Sequence, residues 1–545
     1  MRIRCLYKEE WLLCLVCCFS FFVNNQALLP DIMECRNLVT AYEMAYDGNW
    51  LSPTMNGEWR LEKPPLPTWI AALVEIVFPD RIDMQRGMAG LFAVLLIVFS
   101  YKLARLIYRD RRFAFLSAIV LCTCYSVALM GRTVSWDIYC HAFMMGAVYY
   151  WVKMFRSDTA LWKNACLAGV CMGLSFMSKG PVSFYALLLP FGVAYGCAFG
   201  FRLEGKVKAL LLAVGIGLFI AAWWYVYLYV CQEDVLKAVI GKETSSWIYY
   251  NIRPWYYYWN FFLETSVWGL LLITSLLLPV WSKADLKRKE YLFFLIWLAG
   301  TILLLSFFPE KKKRYLFPAM IPASYLVGYL LLAWENRLCL PEALKMDWLF
   351  FRANTMVLAM VAVALPFAAY YLMYSPGHMS SLSLAAISGM ALLLVFCFSL
   401  AVMRQRVSFL LLGGVALFEM AAVFLPSISH LVNYSERKSI TELRQVEALR
   451  DLPFYYNKED RLRIELVYAA RKKIRPLDMS RVDSVRRGLP CVLLTRGRVG
   501  EELPAALWER VDSTYLGRYD DNSWPPESRR YSESFIYHVT LLREK

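Results

Sequence analysis

Histidine is almost missing from this chain: its 545 residues hold four, His141, His378, His430 and His538. Cysteine occurs 15 times, but no two CxxC pairs stand at metal-binding spacing, and Cys14, Cys17, Cys18, Cys122 and Cys124 lie inside apolar runs. That usage excludes a zinc finger and a disulfide framework; the thiols read as small buried or lipid-facing side chains. Charge is scarce as well, at 19% against 59% hydrophobic residues. A soluble globular protein carries about 25% charged residues, so that class is excluded too. There is no internal repeat, no low-complexity tract and no nucleic-acid module to use the formal charge of +15.

What the chain has instead is long apolar runs. A membrane span needs about 20 mostly apolar residues. Runs near 11–28, 86–108, 113–130, 138–155, 162–178, 182–201, 207–231, 257–281, 290–308, 315–334, 349–374, 380–402 and 407–428 make thirteen expected spans. The first follows "MRIRCLYKEE" and shows no small-x-small cleavage site, so it is expected to remain as a span rather than be removed as a signal peptide. The stretch 66–79, "LPTWIAALVEIVFP", is too short and too Pro-bounded to cross, and is expected at the interface.

Cations set the orientation. With the N-terminus inside, the inner loops are 109–112, 153–163, 201–208, 282–290, 335–345 and 404–406, nearly all basic, as the positive-inside rule expects. The opposite loops are 29–85, 131–137, 178–181, 232–256, 309–314, 374–378 and the segment after 429. By this parity the run Lys311–Arg314 lies outside, against the bias. Other charges share that side: Asp31, Glu34, Arg36, Glu62 and Lys63 in the first loop, Arg132 and Asp137 in the second, Lys179 in the third.

Alone, each has a plainer account. A lysine at a span end snorkels, Asp137 can cap a helix, and Glu34 with Arg36 can form a surface ion pair. Collected on one side at span ends, they suggest a polar site. Arg and Lys are partners of phosphate, and at a membrane a phosphate implies a lipid phosphate or headgroup. Carboxylates beside them can orient or deprotonate an acceptor, so the pattern suits transfer of a sugar from a lipid phosphate.

The stretch "DGNWLSPTMNGEWRLEKPPLPTW" (47–69) resembles the first periplasmic loop of bacterial aminoarabinose transferases (ArnT) and of the wider protein O-mannosyltransferase-like group of the GT-C superfamily. "RTVSWD" (132–137), "FMSKGP" (176–181) and "KKRYLFPAMIP" (312–322) follow in the family's order, so the resemblance covers about residues 10–430. It implies an integral membrane glycosyltransferase of the bacterial inner membrane, its active site facing the periplasm, with a polyprenyl (undecaprenyl) phosphate sugar as donor. The implied acceptor is lipid A, or another envelope glycan or a protein hydroxyl; membrane lipids are the other partners, and nucleic acid is not one.

Carried onto this sequence, the resemblance implies that Lys63, Lys179 and Arg36 bind the donor phosphate, that Asp137 matches the family's second acid, and that Tyr315 opens the tenth span. Arg132, Lys313 and Arg314 are further phosphate-binding candidates. Two departures matter. The family places adjacent Asp-Glu before x-Arg, whereas "PDIMECRN" puts Met33 in the Asp position. Asp31 and Glu34 would share a helical face, so either can be the reactive acid. Some family members bind zinc through the Glu of E-K-P-P and a His before span eight; Glu62 is present, but "KETSSWIYYNIRPWYY" has no His. No metal is therefore assigned with certainty; a divalent metal at Glu62 stays open, without the expected His ligand.

From about 431 the composition turns polar, and the runs 463–470, 491–496 and 535–543 read as strands. The expected architecture is an α-helical polytopic membrane domain of GT-C type over 1–430, including the long loop 29–85, followed by a small periplasmic α/β domain over 431–545. That last domain is a stabilising cap or an acceptor-recognition module. The non-enzyme alternative is a membrane transporter, against which stand the absence of an inverted repeat and of charges at mid-bilayer depth.

Overall fold

Proline and β-branched residues decide where the apolar runs stop being single helices. The structure, a computed structural model, describes residues 2–249, 251–282, 288–338, 345–434, 436–508 and 510–545. Parts of two expected inner loops, 283–287 and 339–344, lie outside the described residues. The chain divides into two units. One comprises Met1–Asn25, Glu62–Pro67 and Ile82–Ser427; the other comprises Gln26–Leu61, Thr68–Arg81 and Ile428–Lys545.

The first unit is helical. Among the described residues seven helices are long and apolar enough to cross a membrane, and an eighth is counted if Arg111–Cys122 and Tyr125–Gly131, bent by 68°, form one span. This is fewer than the thirteen expected runs, for local reasons. The run 113–130 breaks where Thr123 turns its hydroxyl back onto the Ile119 carbonyl (2.7 Å) and the buried Trp268 indole donates to the same hydroxyl (2.8 Å). The run 182–201 divides into a π-turn, Phe184–Leu188, and the helix Leu189–Phe199, because Pro190 has no N–H to continue the ladder. The helix Trp136–Arg156 carries Asp137, His141, Lys153 and Arg156, and Val407–Val423 has 17 residues. Lys313–Arg337 is 94% buried, whereas Val207–Cys231 and Ser381–Arg404 are each 28% buried, so the former is the central helix of the unit. It passes close to Arg111–Cys122 at Gly328, where a Cβ would meet the Ser117 side chain at 2.3 Å.

The second unit joins parts of the first loop to the C-terminal segment. The helix Ile32–Asp47 begins at Asp31, whose carboxylate accepts from the N–H groups of Met33 and Glu34, both at 2.8 Å, in a capping box completed by Glu34. A hairpin follows, β1 (Thr54–Met55) and β2 (Glu58–Trp59), turned by Asn56 and Gly57 at φ 57° and 83°. The buried Glu43 carboxylate holds it, accepting from the Thr54 hydroxyl at 2.6 Å and the Gly57 N–H at 3.1 Å. The remaining strands are β3 (Phe454–Asn457), β4 (Ile474–Leu477), β5 (Cys491–Thr495), β6 (Val511–Asp520) and β7 (Ile536–Glu544). They form a mixed sheet in the order β4-β3-β5-β7-β6, with β4, β3 and β5 parallel.

The expected strand at 463–470 is instead the helix Ile464–Ala470, because its buried residues Leu466, Val467 and Ala470 follow helical rather than alternating spacing. That helix packs on Ile32–Asp47, and Val39 enters the same apolar cluster as Ile440, Phe454 and Val492. Arg471 binds Glu75 and Asp80, Arg444 binds Asp80 at 2.9 Å, and Lys473 binds Asp47 at 2.7 Å. The short helix Leu66–Val77 leaves Leu73, Ile76, Val77 and Phe78 exposed.

Asn56 fastens the hairpin to the sheet. Its side-chain amide donates to the Ile474 carbonyl (2.7 Å) and accepts from the Ile474 N–H (2.8 Å). Asn56→Ala removes both bonds and is expected to cost about 1–3 kcal/mol. The readouts are a lowered melting temperature of the purified protein and faster proteolytic cutting at 48–61.

Candidate active site

In the first unit, three chain reversals bring charge to one place. The helix Leu161–Lys179 ends at Gly180, whose backbone (φ 71°, ψ −146°) is open to glycine, and leaves Lys179 as its last residue. The helix Trp136–Arg156 starts with Asp137 in its first turn. The central helix is entered through a 3-10 turn, Lys313–Ala319, that carries Arg314 and Tyr315. Lys179 and Asp137 form a direct ion pair with side chains only 9% and 3% exposed. The Lys179 ammonium also stands 5.4 Å from the centre of the Tyr315 ring.

Tyr315 is also held by Glu310. That carboxylate accepts from the Tyr315 hydroxyl (3.3 Å) and from the Lys312 ammonium (2.5 Å), and Lys312 lies 5.7 Å from the same ring. Beside the ion pair lies a small cavity lined by Asp137, His141, Tyr185, Arg314 and Tyr315 together with apolar side chains.

The four consecutive cations have separate positions. Lys311 is buried and donates to the carbonyls of Arg253 (3.1 Å) and Phe308 (2.5 Å); its loss of water pulls its pKa below the ordinary lysine value. Lys312 pairs with Glu310, Lys313 is exposed, and Arg314 lines the cavity. Of the residues singled out in the sequence, the structure thus brings together Asp137, Lys179, Arg314 and Tyr315. Arg132 lies elsewhere, donating to the carbonyls of Ser20 (2.9 Å) and Phe19 (3.3 Å) at the end of the first helix. Glu62 and Lys63 are half-buried in the same unit, on the short stretch Glu62–Pro67. Asp31, Glu34 and Arg36 belong to the second unit, where Asp31 is exposed, Glu34 is buried and Arg36 is half-buried.

His141, Tyr185 and Glu310 were not singled out from the sequence. Spacing could have found His141, which stands four residues after Asp137 on one helix face. Among the described residues no group of three or more His, Cys, Asp and Glu side chains could hold a metal ion. Among those residues Glu62 belongs to no such group.

Comparison with known proteins gives relatives of this chain. Residues 62–227 match the family model described as dolichyl-phosphate-mannose-protein mannosyltransferase. An undecaprenyl phosphate-alpha-4-amino-4-deoxy-L-arabinose arabinosyl transferase of Pseudomonas fluorescens is 27% identical over 325 residues, 55% of this chain and 55% of its own length. One from Pseudomonas aeruginosa is 25% identical over 59% of this chain and 60% of its own length. The chain thus matches little more than half the length of these relatives. The crystal structure of ArnT from Cupriavidus metallidurans bound to undecaprenyl phosphate superposes with a TM-score of 0.72 at 15% identity, covering 98% of this chain and 97% of that one. These likenesses bear out the sequence resemblance: the chain is an ArnT-like, protein O-mannosyltransferase-like membrane protein with a polytopic helical GT-C fold.

Removing one partner of a buried ion pair leaves an uncompensated charge, costing about 3–5 kcal/mol. Lys179→Met is expected to show that loss in detergent melts. The double variant Lys179→Met with Asp137→Leu is expected to recover most of the stability. A double variant as unstable as the single one would show that the pair is not the source of the loss.

Proposed function

We propose that this ArnT-like protein transfers a sugar from an undecaprenyl-phosphate-linked donor to an acceptor on the periplasmic side of the bacterial inner membrane, with lipid A as the foremost acceptor. The observation that carries the reading is the buried Lys179–Asp137 pair set beside Arg314 and Tyr315 on one cavity. A departing phosphate needs fixed positive charge where negative charge develops, in a place water does not screen. Arg314 supplies a planar fork and Lys179 a point charge. Asp137 keeps Lys179 in place before the donor arrives.

In the proposed reaction an acceptor oxygen attacks the anomeric carbon from the face opposite the phosphate. The new carbon–oxygen bond forms as the bond to the phosphate oxygen breaks, and the configuration inverts. The electron pair leaves on the phosphate oxygen, whose negative charge Lys179 and Arg314 neutralise, with Lys63 of the same unit as a further cation. An ionised phosphate acceptor brings no proton to remove, and the acids then act by orientation. A hydroxyl acceptor must lose its proton to a carboxylate base. Arg132, committed to backbone carbonyls, is assigned to hold the first helix rather than the phosphate.

The family model over 62–227 favours a second acceptor class, a protein hydroxyl. Mass analysis of lipid A, other glycans and secreted proteins from a deletion strain separates the two: the class that loses a sugar contains the acceptor. Unchanged glycans with altered solute uptake would point to a transporter instead. Lys63→Ala and Arg314→Ala are each expected to lower turnover of purified donor by about 100-fold. Unchanged turnover would remove that residue from the phosphate site.

A further inference from the structure

His141 is buried, 1% exposed, and lines the cavity with Asp137, Tyr185, Arg314 and Tyr315. Its Nδ1 lies 2.9 Å from the backbone carbonyl of Asp137. A carbonyl oxygen only accepts, so Nδ1 carries the proton. In the neutral ring Nε2 is then an acceptor. Protonating the ring would set a third cation beside Lys179 and Arg314 against the single carboxylate of Asp137. The neutral form with its proton on Nδ1 is therefore the one the surroundings favour.

Nε2 is buried and has no hydrogen-bond partner among the described residues. A buried acceptor left unsatisfied pays the full loss of its water. A purely structural histidine, bonded at Nδ1 and edge-on to the Phe317 ring at 5.0 Å, accounts for one nitrogen and leaves the other unexplained. The ligand can account for it, but its phosphate cannot. Phosphate oxygens present lone pairs, which suit Arg314 and Lys179 and repel Nε2. What an acceptor nitrogen needs is a donor, and the non-phosphate part of a sugar lipid is rich in hydroxyl or amino groups.

We infer that His141 is a specificity residue for the sugar, accepting through Nε2 a hydrogen bond from a hydroxyl or amino group of the lipid-linked donor. The inference rests on the donor reading proposed above and deepens it: cations in the cavity hold the phosphate, and His141 reads the group attached to it. A site built to bond such a group discriminates strongly against a ligand that lacks it.

The test titrates the full-length protein in detergent with three lipids. These are undecaprenyl phosphate, undecaprenyl phosphate carrying 4-amino-4-deoxy-L-arabinose, and undecaprenyl phosphate carrying mannose. Wild type is compared with two apolar variants, His141→Phe and His141→Leu, and with His141→Asn, which retains an acceptor. Wild type is expected to bind one sugar lipid more tightly than the bare lipid. The apolar variants should bind the bare lipid as wild type does but that sugar lipid about tenfold more weakly, the loss of one hydrogen bond. His141→Asn should recover part of the loss. Equal weakening toward bare and sugar lipids would make His141 a structural residue, and unchanged binding of both would make it a core histidine. Either result overturns the inference while leaving the donor reading intact. A wild type that binds none of the three lipids overturns both.

Discussion

The ion pair between Lys179 and Asp137 is the interaction on which the membrane unit's polar centre depends. Neither charge could be taken out of water alone, because the desolvation cost of each is several kcal/mol. Their pairing lets two helices end and begin at one point, and it makes the apolar surroundings of Tyr315 compatible with a cation above the ring. Glu310 repeats the device at the hydroxyl of the same tyrosine, with Lys312 as its partner. Tyr315 thereby has two ammonium groups near its ring, each with its own carboxylate, and Arg314 lines the cavity with it.

The run of four cations shows how one composition serves four uses. Lys311 is spent on backbone carbonyls and Lys312 on Glu310, while Lys313 faces outward and Arg314 lines the cavity. A 3-10 turn begins at Lys313, so successive side chains point in different directions. The first of the four cations is also tied to the preceding loop, since the Asn251 amide donates to the Lys311 carbonyl at 2.9 Å. Positive charge counted along the chain is therefore no guide to positive charge presented to a ligand.

Much of this was legible in the sequence where it depended on composition or on charges flanked by apolar runs. The helical membrane class, the loop motif with Lys63, and the cluster of Asp137, Lys179, Arg314 and Tyr315 are of that kind. What was not legible depends on contacts distant in sequence. Hydropathy registers the run 113–130 but not the Trp268 bond that stabilises its break at Thr123. Alternation was read into 463–470, yet its apolar residues pack as a helix on Ile32–Asp47. Asp31 and Glu34 were weighed as acids, and the structure shows that they also start a helix, a use their three-residue spacing already permits. The hold of Asn56 on the sheet was not legible either, because nothing near it in sequence announces Ile474.

That last contact has a consequence beyond anchoring the hairpin. β4 is an outermost strand, and an outermost strand offers unpaired amide groups to any extended peptide. Here the Asn56 amide already occupies the Ile474 position, and Pro476, two residues on, has no N–H to offer. A side chain from one end of the molecule and a proline from the other thus close the same border. The sheet is blocked at β4 against recruiting a strand from a neighbouring copy, and its growth into an aggregate is stopped there by two residues.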